Sequence, residues 1–355
     1  MNNPFGEIFP LCRPAMEEAE KRWASIAKPL GSLGSLEKLI VRLAGITGNS
    51  QMNFSKRCDL VFCADNGVVE EGVSQTDSSV TGVVSANLAG GRASANLLGE
   101  LFQCDVFPVD IGLHAPLDVP GILNRNVRRG TGNIAREPAM TWQELLQAVE
   151  TGISLVKEKK QQGYQLICTG EMGIGNTTTS SAVAAVLLDL EPARVTGRGA
   201  GLSNQGLSCK VEAVRRAIAV NQPNASKPLE VVQKVGGLDI AALTGVFLGG
   251  AIYRVPVVVD GFISGVAALA ACRFCPLVKD FLIGSHISGE PGGRLVLQAL
   301  ETDSFLDCGL RLGEGTGAIL LLPLLDAALK IYREMDTFED IAIQRYQPFE
   351  EEGKG

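Results

Sequence analysis

From about residue 58 onward, short apolar runs alternate with longer stretches of helical period. The runs Leu60–Ala64, Val106–Ile111, Gln165–Cys168, Val257–Val259 and Phe281–Ile283 are rich in Val, Ile, Leu or Phe and stop at Gly, Asp or Ser, as buried strands do. Between them the spacing predicts helices over Val80–Leu101, Trp142–Gln161, Thr177–Leu188, Gln205–Asn221, Ile240–Ile252 and Gly293–Leu300. Alternating strand and helix imply a parallel sheet covered on both faces, an α/β fold. Ligands of such sheets sit beyond the carboxyl ends of the strands. The ends of the chain differ. Pro14–Arg22, Leu36–Ala44 and Ala318–Tyr332 are helical, so a large α/β domain over 58–316 is expected beside a small helical domain built from 1–57 and 317–355.

Composition narrows the function classes. Of 355 residues, 46% are hydrophobic and 20% charged, enough for one large core. A net charge of -7 and only 5% aromatics argue against a nucleic-acid surface or a base-stacking platform. Met1–Arg22 lacks the pattern of a signal peptide. Val255–Val278, interrupted by Asp260 and Arg273, is a poor membrane span. The nine cysteines, several within apolar runs such as Val61–Cys63 and Leu166–Cys168, read as reduced thiols. A cytoplasmic protein that handles small molecules, with no nucleic-acid or membrane partner, is expected. Cys272-Arg-Phe-Cys275 has no second pair, and the two histidines, His114 and His286, are remote from it, so no metal site and no cofactor are expected.

Three glycine-rich loops are placed to carry chemistry. Arg311-Leu-Gly-Glu-Gly-Thr-Gly317 sets one carboxylate, Glu314, between glycines ahead of an apolar helix. Two readings of it stay open: a desolvated general base, or a carboxylate that offsets the dipole of the following helix. Gly170-Glu-Met-Gly-Ile-Gly-Asn-Thr-Thr-Thr-Ser-Ser181 follows a strand and opens a helix, which suits a phosphate; capping by Asn176 with an ordinary Thr/Ser first turn is the alternative. Its glycine order is neither the dinucleotide nor the P-loop fingerprint. Gly197-Arg-Gly-Ala-Gly201, followed by Lys210, is the third. Cys63-Ala-Asp-Asn-Gly67 and Val259-Asp-Gly261 add aspartates at strand ends, where turn residues are common. No nucleophile elbow occurs, and the acidic signature that holds a pyrophosphate donor with Mg²⁺ is missing. A ribosyl donor here would be one that needs no metal.

Taken in order, Lys28-Pro-Leu-Gly-Ser-Leu-Gly34, Cys63–Gly67, Gly170–Thr178, Lys234-Val-Gly-Gly-Leu-Asp239, Val257–Ser264, Gly284-Ser-His-Ile-Ser288 and Arg311–Gly317 resemble the nicotinate-nucleotide:5,6-dimethylbenzimidazole phosphoribosyltransferases, over roughly residues 25 to 335. The resemblance implies transfer of 5-phosphoribose from nicotinate mononucleotide to a base, with inversion to the α-riboside, in cobamide lower-ligand assembly. It implies a Rossmann-like sheet with a small domain from both termini, and a dimer. The chemistry agrees: nicotinate leaves with its ring nitrogen neutral, so neither metal nor strong acid is needed at that end. By position, Glu314 matches the catalytic base and Glu171 a second carboxylate. Gly173, Gly175, Asn176, Thr177, Gly199, Lys210, Ser288 and Gly315 match donor phosphate and ribose positions.

The acceptor segment departs from the family. A usual Ser is Thr76, a usual Gln is Val84, and a common Leu is Met172. These changes make the pocket more apolar and point to the branch that uses phenol or p-cresol, whose members can pair with a paralogous subunit. A catalytically weak paralogue serving as the nucleotide-binding partner of a heterodimer is the alternative, against which the retained Glu314 counts.

Overall fold

The computed structural model describes residues 4–347. Six strands form one sheet: β1 (Arg57–Ala64), β2 (Cys104–Gly112), β3 (Leu123–Asn124), β4 (Leu166–Met172), β5 (Val257–Val259) and β6 (Leu282–Gly284). All neighbours pair in parallel, in the order β3-β2-β1-β4-β5-β6. This is the doubly wound order, whose direction reverses between β1 and β4 and opens a crevice at their carboxyl ends. Every residue of β1 is buried, which explains its unbroken apolar run. The register sets Phe62 beside Glu171 and Cys63 beside Met172, so the Glu171 end of β4 lies level with the end of β1.

All five expected strands are present. β3, two residues long, was too short to carry a period. The single helix expected over Val80–Leu101 is instead two, Ser79–Ala89 and Ser94–Phe102. The break falls at Gly90-Gly91-Arg92-Ala93, where Gly91 takes φ +73°, and the Asn96 side chain then accepts the Ala93 N–H at 3.0 Å to start the second helix. Helix Phe262–Phe274 was missed because its first ten residues are all buried, leaving no polar face to reveal a 3.6-residue period. Helix Trp142–Gln161 begins in a capping box that is plain in the sequence. Thr141 Oγ1 accepts the Glu144 N–H at 3.2 Å, and Glu144 Oε2 accepts the Thr141 N–H at 2.7 Å.

The chain forms two compact units. One comprises Phe54–Leu321 with the described part of Met1–Phe9, and holds the sheet. The other comprises Pro10–Asn53 and the described residues after Leu321: helices Arg13–Ser25 and Ser35–Thr47 with the latter part of helix Thr316–Glu334. Inside it Trp23 meets Tyr332 edge-on at 5.1 Å, and buried Lys28 pairs with Glu37 at 2.5 Å. Among the described residues no helix is long and apolar enough to cross a membrane.

In the sheet unit, helices Trp142–Gln161 and Leu238–Tyr253 approach through paired glycines. A Cβ on Gly152 would overlap the Ala242 carbonyl oxygen, and one on Gly245 that of Val149. Gly152→Ala and Gly245→Ala are each expected to lower stability by about 1–3 kcal/mol, the usual cost of overpacking. Urea midpoints of the two variants, set against wild type at equal m-value, check this; unchanged midpoints would show that the helix pair is not close-packed.

Candidate active site

β4 delivers Glu171 and Met172 to the crevice, and the chain then turns through Gly173–Gly175 into helix Asn176–Leu188. Both glycines are required by space. Gly173 lies against the Ala64 carbonyl, and Gly175, at φ +92°, would bring a Cβ within 2.8 Å of Val69. The Asn176 side chain is buried and its Nδ2 donates to Glu171 Oε2 and, at 3.0 Å, to Asp239 Oδ2. Burial, with Asp239 alongside, pushes Glu171 up to about 8; Asn176 opposes the shift. Burial likewise raises Asp239 to about 6.

The Glu314 turn sits on β4 because Gly170 has no side chain. A Cβ there would stand 2.6 Å from the Glu314 carbonyl carbon and 2.7 Å from the Gly315 nitrogen. Gly313, Glu314 and Gly315 take φ of +93°, +61° and +80°, a left-handed run that is costly for glutamate and held by the packing around it. The Glu314 N–H donates to the Glu171 carbonyl at 3.2 Å, tying the two acid-bearing segments together. Burial raises the Glu314 carboxyl above its ordinary value, against the backbone N–H groups of Ala95 and Ser94, which favour the charged form. Its Oε2 is buried without a hydrogen-bond partner. Glu314 therefore faces the start of helix Ser94–Phe102 and not the helix that follows it. That following helix is served by Asp260, whose Oδ1 accepts the Gly317 and Ala318 N–H groups at 2.8 and 3.0 Å. Burial raises Asp260 to about 7 in spite of them.

A cation closes the other end. Lys210 is 1% exposed, and its Nζ donates to Thr177 Oγ1 at 2.8 Å. Burial lowers it to about 8, opposed by Glu290. Gly199, at φ +51°, faces both groups: a Cβ would lie 3.0 Å from Thr177 Oγ1 and 3.2 Å from Lys210 Nζ. Three amides of the Gly173–Thr179 turn, those of Asn176, Thr178 and Thr179, bond to the Gly173 and Gly175 carbonyls, so an anion here depends mainly on side-chain charge, that of buried Lys210 with Arg198 and Arg311 on the same wall. Ser288 is buried, and its Oγ accepts the Glu290 N–H at 3.3 Å.

These groups surround one cavity of about 350 Å³. Glu171, Met172, Gly173, Gly175, Asn176, Thr177, Gly199, Lys210, Ser288, Glu314 and Val84 all line it. Two expected residues do not. Thr76 is exposed beside Ser74, and it is Val73, Ser74 and Gln75 of that loop that face the cavity. Gly315 lies behind the wall, with its Cα against the Asp59 carboxyl.

A phosphoribosyltransferase family model matches residues 8–343. The chain belongs to the phosphoribosyltransferase family. It is 48% identical, over 94% of its length and 95% of the relative, to the nicotinate-nucleotide–dimethylbenzimidazole phosphoribosyltransferase of Ruminiclostridium cellulolyticum. The protein of that name from Acetivibrio thermocellus is also 48% identical, over 97% of each chain. Its fold superposes on a crystal structure of CobT from Thermus thermophilus with a TM-score of 0.89, at 40% identity, covering 94% of this chain and 100% of that one.

Several residues of this phosphoribosyltransferase's cavity were not assigned a role from sequence. Asp260 and Asp239 stood within quoted motifs, but only the fold shows both beside Glu171. Arg198, Glu290 and His286 also line the cavity; burial holds the His286 imidazole neutral, at about 4. Asp59 carried no signal beyond being an acid within an apolar strand. It is fully buried, both its carboxyl oxygens lack partners, and burial raises it well above the carboxylate range.

Because Glu171, Asp239 and Asp260 hold protons in the folded chain at pH values where the unfolded chain has released them, stability falls as pH rises. The loss sets in above the ordinary carboxylate range and is complete near pH 8, the value for Glu171. Thermal midpoints of the empty enzyme should decline between about pH 5 and 8, with a shallower slope in Glu171→Gln. An equal slope in the variant would show Glu171 ionised throughout that range.

Proposed function

We propose that the enzyme moves 5-phosphoribose from nicotinate mononucleotide to a lower-ligand base, with inversion to the α-riboside phosphate. Its relatives carry the name of that reaction. The observation that carries the reading is a single cavity with buried Lys210 toward one end and a buried, unpartnered Glu314 oxygen at the other. Lys210, with the Thr177 hydroxyl and the bare Gly199 backbone, holds the donor phosphate. Glu314 takes the acceptor's proton as the acceptor attacks the anomeric carbon from the face opposite nicotinate, which departs with the bonding pair on its ring nitrogen. The donor's pyridinium charge favours the anionic forms of Glu171 and Asp260, so donor binding drives off protons they hold in the empty site. Those anions then face the oxocarbenium charge that develops on the ribose. We take the enzyme to be a cytoplasmic dimer, of two copies or with a paralogous chain.

The acceptor wall contains Val84 and Met172, which offer dispersion and adaptable shape in place of an amide. A phenol with its hydroxyl toward Glu314 fits such a wall as well as a benzimidazole does. Its proton, with a pKa of about 10, needs the base more. Incubation with nicotinate mononucleotide and a panel of benzimidazoles, phenol and p-cresol, with products identified by mass, tests both parts. Benzimidazole and phenolic α-ribotides are expected, and Val84→Gln should shift preference toward benzimidazole. Benzimidazole products alone, from this chain and any paralogue paired with it, would remove the phenolic assignment.

Glu314→Gln should cost about 10²–10⁴ in kcat with folding intact; a loss of only a few-fold would move the base role to Glu171. Lys210→Met keeps the aliphatic stem and should raise the KM for nicotinate mononucleotide while leaving that for the acceptor nearly unchanged. In the wild type the donor KM should rise above about pH 8 as Lys210 loses its charge. Lys210 is the better probe of the donor site, since a side chain at Gly175 would collide with Val69 and report on folding.

A further inference from the structure

The catalytic cavity uses the carboxyl ends of β4, β5 and β6. At the same edge of the other half of the sheet, beyond β1 and β2, lies a second cavity of about 810 Å³, within the size range of small-molecule sites. Asp65, the residue that follows β1, lines it. Its side chain is 7% exposed, and Oδ2 accepts the His114 N–H at 2.8 Å. Oδ1 is buried with no partner at all. A buried acceptor left unpaired costs on the order of 1–3 kcal/mol, so a ligand that brings a donor to this oxygen recovers that cost.

The other charges on the wall are of two kinds. Glu70 is engaged by Arg136 at 3.0 Å, and Asp77 accepts the Ser79 N–H at 2.9 Å, so these acids are already partnered. Arg129 is exposed and, among the described residues, forms no ion pair; the exposed His114 imidazole stands on the same wall. The cavity thus presents a buried carboxylate oxygen with capacity for a hydroxyl and a free guanidinium with capacity for an anion. Sheets of this strand order are built from two mononucleotide-binding halves, and the second cavity lies on the half the catalytic cavity leaves unused.

The segment 73–84 is the shared wall. Val73, Ser74, Gln75 and Val84 line the catalytic cavity, whereas Asp77, Ser78, Ser79 and Gly82 line the second. Anything that packs against the second set bears on the acceptor side of the first. We infer that the second cavity binds a small hydroxylated anion of the sugar-phosphate class, through Asp65 and Arg129, and that its occupancy is felt at the acceptor wall. The site is separate from the catalytic one and does not depend on which base is the acceptor.

The probe is ribose 5-phosphate, titrated calorimetrically into the intact enzyme and into Lys210→Met, in which the phosphate anchor of the catalytic cavity is removed. One saturable event is expected to remain. It should weaken by about tenfold or more in Arg129→Ala and in Asp65→Asn, as loss of a charge-assisted hydrogen bond implies. With the probe bound, the acceptor KM should change several-fold while the donor KM stays constant. Absence of a saturable event, or equal affinity in wild type and Arg129→Ala, would overturn the site. Arg129 is exposed, so its variant decides the question even if Asp65→Asn misfolds. Binding that leaves the acceptor KM unchanged would overturn the coupling.

Discussion

The contact of the Glu314–Gly315 peptide with the bare backbone of Gly170 is the constraint on which the site depends. It brings a loop from late in the chain onto a central strand, within van der Waals reach of β4, and forces three consecutive residues into left-handed conformation. Two glycines keep that turn accessible to the one residue between them that has a side chain. The outcome is a glutamate whose backbone is pinned to the Glu171 carbonyl. Asp260 completes the arrangement by holding the amides just after the turn, which fixes where helix Thr316–Glu334 begins.

Around that contact the chain gathers acids in a place that disfavours their charge. Glu171, Asp239, Asp260 and Glu314 are all raised chiefly by burial, and Asp59 lies beneath them without a hydrogen bond. A metal ion or a set of arginines would relieve them in many sites. Here the buried cation is Lys210, and Arg198 and Arg311 stand on the same cavity wall. An empty site with surplus negative potential suits a donor that arrives carrying a positive ring and leaves it neutral. On the proposed function, the instability of the acids in the empty enzyme and the attraction for a pyridinium nucleotide are one property seen in two states.

Much of this was legible in residue order. Alternating apolar runs identified all five strands longer than two residues, and the helical period over Trp142–Gln161 placed that helix to the residue. The glycine-flanked Glu314, the Gly170–Thr179 loop and Lys210 stood out because glycine at such density serves turns and close approaches. The helix break at Gly90-Gly91 was also written there but was overridden by the helical period on either side. Thr76 was misplaced for a different reason: a position in a loop does not say which neighbour turns inward, and Gln75 does so in its stead.

The sequence by itself determined the fold class, the family and the chemical types at the cavity, because these follow from period, glycine placement and motif order along one dimension. Only the tertiary structure decided which groups share a field. Asp59, Asp239 and Asp260 come from three separate segments, and their weakened acidity arises from burial, which no single segment encodes. The division of segment 73–84 between two cavities is likewise a product of packing, since neighbouring residues on one short stretch face opposite sides. Local propensity sets what each residue is able to do; exclusion of water by distant parts of the chain sets what it does.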